Sequence, residues 1–121
     1  MKNIVITGVS TGIGYSSAKK LIKDGYRVFG SVRKEEDGSK LEKEFGENFY
    51  SLIFDVRDEE AIKKAALKVK EIVGDSGIDC LINNSGIALG GPILHLSKEV
   101  FKEQFDVNLF GVVSVTNIFF N

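Results

Sequence analysis

Apolar positions follow two rhythms along this chain. Short β-rich runs alternate with stretches in which apolar residues recur three and four apart. The first run, Asn3–Thr7, carries Ile4-Val5-Ile6. From Ile13 to Asp24 a helix is predicted, with Ile13, Ala18, Leu21 and Ile22 near one face and Gly25 as its stop. A second strand is predicted at Arg27–Val32, a charged helix over Gly38–Phe45 ended by Gly46, and a third strand at Phe49–Phe54. Asp58 is placed to cap the next helix, with Glu59 and Glu60 in the first turn, where the helix dipole favours acids. That helix runs to Val73 on a stripe of Ile62, Ala65, Ala66, Val69, Ile72 and Val73. The fourth strand, Asp79–Asn83, contains Cys80-Leu81-Ile82 and reads as buried on both faces. A loop with Gly90-Gly91-Pro92 follows, and Ser97 caps a last helix expected to run unbroken to the end of the chain.

Strands alternating with helices imply right-handed crossovers and a parallel sheet covered on both faces. The expected architecture is a doubly wound, Rossmann-like α/β fold with strand order 3-2-1-4, residues 1–121 forming a single domain. Its strand order reverses between strands 1 and 4, and a ligand is expected above the carboxyl ends of those two strands.

Composition narrows the partners. The 121 residues are 43% apolar, with charges of both signs and a net charge of −1. No Lys/Arg cluster gives a basic field for nucleic acid, and no long apolar span addresses a membrane. Cys80 is the single cysteine, so no disulfide forms within the chain; without a signal peptide the expected compartment is cytoplasmic.

The chemistry concentrates where the first strand gives way to the first helix. Gly8, Gly12 and Gly14 lie between them, with Ser10 and Thr11 supplying hydroxyls inside the turn. A helix N-terminus has unpaired N–H groups and a partial positive charge that accept a diphosphate, and glycines let backbone approach the phosphates without a colliding Cβ. An ordinary βα loop would also need glycine for its turn, but the flanking strand and helix favour a nucleotide. The spacing departs from G-x-G-x-x-G, and no Gly-Lys-Ser/Thr of a P-loop follows. Thr7-Gly8-Val9-Ser10-Thr11-Gly12-Ile13-Gly14 resembles the cofactor loop of the classical short-chain dehydrogenases/reductases.

Further matches follow in that family's order. Val32 stands where NAD-dependent members carry an acid, and Arg33, one further on, stands where NADP-preferring members carry a base. A planar guanidinium suits a 2′-phosphate, so NADP is expected over NAD. Asp55, with Val56, follows the third strand and resembles the Asp-Val pair that receives the adenine amino group. Asn83-Asn84-Ser85-Gly86 resembles the family's Asn-Asn-Ala-Gly, with Ser85 in place of Ala. Asn108 is expected on the apolar side of the last helix with Phe101, Phe105 and Val112; the matching Asn of the family holds a water in the proton relay to its catalytic Lys. The resemblance thus implies a cofactor set of Gly8, Ser10, Thr11, Gly12, Ile13, Gly14, Arg33, Asp55, Val56, Asn84, Ser85 and Gly86, with Asn108 as a catalytic residue.

It also implies reduction of a ketone or oxidation of a secondary alcohol, by way of a Ser and a Tyr-x-x-x-Lys beyond a fifth strand. None of these follows Asn108. Tyr15-Ser16-Ser17-Ala18-Lys19 matches the letters, but it begins the first helix and points away from the reacting end. His95, the only histidine, has no ligand cluster for a metal, and Cys80 reads as a small core residue. The chain alone is therefore expected to be a cofactor-binding half without turnover on small carbonyl or alcohol substrates. The alternative is a truncated nucleotide-binding or assembly module. An open edge on strand 4 and an under-covered last helix predict a homo-oligomer.

Overall fold

The computed structural model describes residues 1–121. Strands β1 (Asn3–Ile6), β2 (Arg27–Val32), β3 (Phe49–Ile53) and β4 (Cys80–Ile82) form one parallel sheet in the order β3-β2-β1-β4, as expected. Val5 of β1 lies opposite Phe29 of β2 on one side and Leu81 of β4 on the other; Phe29 in turn lies opposite Tyr50 of β3. Helices α1 (Gly12–Lys23), α2 (Glu35–Phe45) and α3 (Glu59–Val73) make the crossovers, and α4 (Lys98–Phe105) and α5 (Gly111–Phe119) follow β4. None of them is long and apolar enough to cross a membrane.

Side chains alternate across a pleated strand, so each strand feeds two cores. Val5, Phe29 and Leu52 meet Ile62, Val69 and Val73 of α3 and Val115 of α5 on one face. Ile6, Val28, Val32 and Phe49 meet Ala18 of α1 and Leu41 of α2 on the other. Phe29 and Tyr50 stack with ring centres 5.2 Å apart. Phe29, Ile6, Leu52 and Ile62 are fully buried, and burying a side chain of this size stabilises by about 1.5–3 kcal/mol. At the amino ends of the strands, Asp79 Oδ2 accepts from Asn3 N–H at 2.7 Å, and the Asn3 side chain donates to the Gly77 carbonyl at 2.9 Å. These bonds tie β4 to β1 at the end away from the glycine turn.

Several elements differ from the pattern read along the chain. α2 starts at Glu35 rather than Gly38, because Glu35, Glu36 and Asp37 fill its first turn, where acids are favoured. Ile13 is 79% exposed, although helical spacing placed it near the apolar face. β4 is the expected edge strand, paired with β1 alone, but it is not buried on both faces: Leu81 and Ile82 are half-buried, and Cys80 is exposed rather than a core residue. The last helix is not uniform either. Between α4 and α5, Asp106–Phe110 forms a π-helical turn, which accommodates one more residue per turn than an α-helix.

Candidate functional site

The carboxyl ends of β1, β2 and β3 and the segment after β4 converge on a cleft of about 260 Å³. The turn after β1 forms its floor. Gly8 has φ +71°, and a Cβ there would lie 2.9 Å from Ser85 Oγ. Gly14, in the first turn of α1, is buried, and a Cβ on it would collide with the Gly8 carbonyl oxygen and with Asn84 Nδ2. Glycine is thus required at both positions for close approach. Thr11 precedes α1 without a side-chain capping bond, in contrast to Asp58 before α3 and Ser97 before α4, which accept from Ala61 N–H and Val100 N–H. The first N–H groups of α1 therefore keep their partial positive charge beside the cleft.

Neighbouring strands hold this turn. Thr7 Oγ1 accepts from Asn84 N–H at 3.0 Å and from Ser85 N–H at 2.9 Å. Asn84 Nδ2 donates to the Gly8 carbonyl at 2.9 Å, and Gly8 N–H donates to Ser31 Oγ at 3.0 Å. Asn84 is therefore a strut of the turn as well as a lining residue. Thr7 and Ser31 escaped sequence reasoning as site residues, because their partners lie on other strands. Only the position of each at a strand's carboxyl end hinted at the role.

Of the sequence-derived set, Gly8, Ser10, Thr11, Arg33, Asp55, Val56, Asn84, Ser85 and Gly86 all line the cleft. Gly12 and Ile13 border a shallow recess along α1 instead, together with Tyr15. Asn108 stands behind the cleft wall: its Oδ1 accepts from Ile87 N–H at 2.8 Å and its Nδ2 donates to the Ile87 carbonyl at 2.7 Å. Contrary to expectation Asn108 is exposed, with Val107 taking the buried position beside it, because the π turn shifts the helical register. Gln104, one helical turn earlier, repeats the clamp: its Oε1 accepts from Leu89 N–H at 3.2 Å and its Nε2 donates to the Leu89 carbonyl at 3.1 Å. The i, i+4 spacing of the two amides was the available signal. The Tyr15 hydroxyl donates to Glu44 and its ring packs on Phe45, away from the cleft.

Charge gathers at one end. Asp55 Oδ1 accepts from Arg57 N–H at 2.9 Å and Arg57 Nε at 3.0 Å, and Oδ2 accepts from Nη2 at 2.7 Å. These side-chain bonds hold the Asp55 carboxyl below its ordinary value against partial burial, with the Arg57 backbone N–H and the charges of Arg57 and Arg33 adding to the effect. A cradle requiring glycine, unpaired helix N–H groups and a cation at the rim suit a phosphorylated nucleotide.

A family model for short chain dehydrogenase matches residues 2–121. The chain is 41% identical over 116 residues to the NADPH-dependent 3-dehydrocapnine reductase of Ornithobacterium rhinotracheale, covering 96% of this chain and 41% of that protein. It is 36% identical to the serine 3-dehydrogenase of Rhizobium radiobacter, covering 94% of this chain and 45% of that protein. The crystal structure of serine dehydrogenase from Escherichia coli superposes with a TM-score of 0.89 at 30% identity, over 98% of this chain and 54% of that one. The chain thus spans about half or less of each protein named.

Proposed function

The chain belongs to the short chain dehydrogenase family, and on that footing we propose that its residues build the cofactor-binding half of an NADP-linked oxidoreductase. The observation that carries this reading is the meeting, in one cleft, of the Gly8 turn, the uncapped start of α1 and Arg33. The α1 N-terminus and the Gly8 turn would hold the diphosphate, Arg33 the 2′-phosphate, and Asp55 with Val56 the adenine. A relative named as NADPH-dependent supports NADP. When bound, NADPH supplies a hydride, and the reaction class is interconversion of a ketone and a secondary alcohol.

The chain's own contribution is to bind and orient. Asn84 keeps the Gly8 carbonyl turned away from incoming phosphate oxygens, Asn108 fixes the backbone of Ile87 at the cleft wall, and Gln104 that of Leu89 beyond it. Asn108 retains one amide hydrogen and one lone pair after both bonds to Ile87, enough to hold a water as the family resemblance implies. No tyrosine or serine pairs with a lysine at the cleft, so the 121 residues alone bind without turnover on small carbonyl compounds.

Isothermal titration of this chain with NADP and with NAD tests the reading. NADP binds more tightly, and Arg33→Ala removes about tenfold of that preference, the worth of one charge-assisted contact. Equal affinity for the two nucleotides, or reduction of a carbonyl compound by the pure chain, refutes the corresponding claim. A second reading, an assembly module, is favoured by the open edge of β4 and by exposed Phe105, Phe110 and Phe120. It predicts association without nucleotide binding.

A further inference from the structure

Asp55 leaves β3 with most of its hydrogen-bonding capacity already used. A carboxylate oxygen has two in-plane lone pairs. Oδ1 fills both with Arg57 N–H and Nε, whereas Oδ2 receives only Arg57 Nη2. One acceptor site is left, on Oδ2. The guanidinium is steadied from a second element, its Nη1 lying 3.5 Å from Glu103 Oε1 on α4. Asp55, Arg57 and Glu103 all line the cleft, as does Arg33.

Resting on the cofactor reading above, we infer that Arg57 is a positioning residue that sets base specificity: by occupying Oδ1 it leaves Asp55 a single acceptor at Oδ2, so the cleft takes a base through an exocyclic N–H donor and rejects one with a carbonyl there. Adenine presents such a donor in its 6-amino group. Hypoxanthine, otherwise the same shape, presents a carbonyl oxygen at that place, and two acceptors then face each other with neither satisfied. An Asp55 free to turn would swing Oδ2 out of the plane of the base, losing the bond to an amino group and the clash with a carbonyl alike. The two-pronged guanidinium bond prevents this, because it fixes the carboxylate plane. Lysine would supply the charge without the fork.

The test compares NADP with deamino-NADP, the same nucleotide carrying hypoxanthine, by isothermal titration of this chain and its variants. The wild-type chain prefers NADP by about tenfold, as expected for one hydrogen bond to a charged group. Arg57→Leu brings the ratio close to one, with the affinity for deamino-NADP unchanged or higher; Arg57→Lys gives an intermediate ratio. A merely structural role for Arg57 would weaken both nucleotides alike and leave the ratio where it was, and that result overturns the inference. Equal binding of both nucleotides by the wild-type chain also overturns it while leaving the cofactor reading intact. Binding of neither nucleotide refutes the cofactor reading and the inference together. Arg57 is exposed, and unchanged melting of Arg57→Leu by circular dichroism confirms that the variant stays folded.

Discussion

The Thr7 hydroxyl oxygen has two backbone donors, and a methyl in its place leaves the N–H groups of Asn84 and Ser85 facing carbon. Each unsatisfied N–H costs about 1–3 kcal/mol. Thr7→Val therefore destabilises by about 2–4 kcal/mol in urea unfolding, and Thr7→Ser, which keeps the acceptor, by less than about 1 kcal/mol. Equal losses for the two variants would show that the methyl, not the oxygen, matters. Asp55 adds a pH dependence. Its carboxyl is held below the ordinary value first by the Arg57 side-chain bonds, so the unfolded chain takes up its proton at a higher pH than the folded one. Stability from this group is fully present above the ordinary aspartate value, about 4, and is lost as the pH falls through the lower folded value. Asp55→Asn should flatten the acid limb of a plot of urea midpoint against pH; identical limbs would mean that Arg57 leaves this carboxyl unperturbed in solution. Gly8 and Asp55 were legible along the chain because their requirements are local, a turn and a strand end. Thr7, Ser31 and Arg57 act through partners, and a one-dimensional pattern does not record partners.

Among the elements, the last helix departs most from its sequence pattern. Residues three and four apart suggested one continuous α-helix from Ser97, yet the turn at Asp106–Phe110 is π-helical. The register gained there lets Val107 face the core while Asn108 reaches Ile87. No proline or inserted polar run marks such a turn, so periodicity passes over it. Gly111 follows it directly, buried where a Cβ would press into the Val56 side chain. Upstream, Gln104 and Asn108 hold Leu89 and Ile87 with two bonds each, doing with side chains what a neighbouring strand would do with backbone. Gln104→Leu should therefore speed amide exchange at Leu89 while leaving Ile87 protected, and Asn108→Leu should do the reverse. Unchanged exchange at both amides would mean that other contacts hold the segment. α2 carried its own clue in Glu35, Glu36 and Asp37, whose fit to a first turn outweighs the helix-weakening Gly38.

At the scale of the molecule, the strand order was readable because alternating elements and the handedness of crossovers leave few alternatives. The open edge of β4 belongs to that order, but the exposure of its faces was not readable, since an apolar triplet such as Cys80-Leu81-Ile82 reads alike whether or not both faces are covered. With β4 paired on one side and Phe101, Phe105, Leu109 and Val113 exposed along α4 and its continuation, the chain should sediment as a dimer or larger species. A monodisperse monomer at tens of micromolar would count against association through this side. The clamp on the glycine turn reaches further, into the order of events when the protein is made. Thr7 and Asn84 are 77 positions apart, and a ribosome adding about 5–20 residues per second takes roughly 4–15 s to cover that distance. For most of that interval the nascent turn carries all its glycines and, of its struts, only Ser31. Nucleotide affinity should therefore arrive late, with the docking of β4, and a labelled nucleotide captured by stalled nascent chains would time that docking; capture by chains stalled before β4 would refute it.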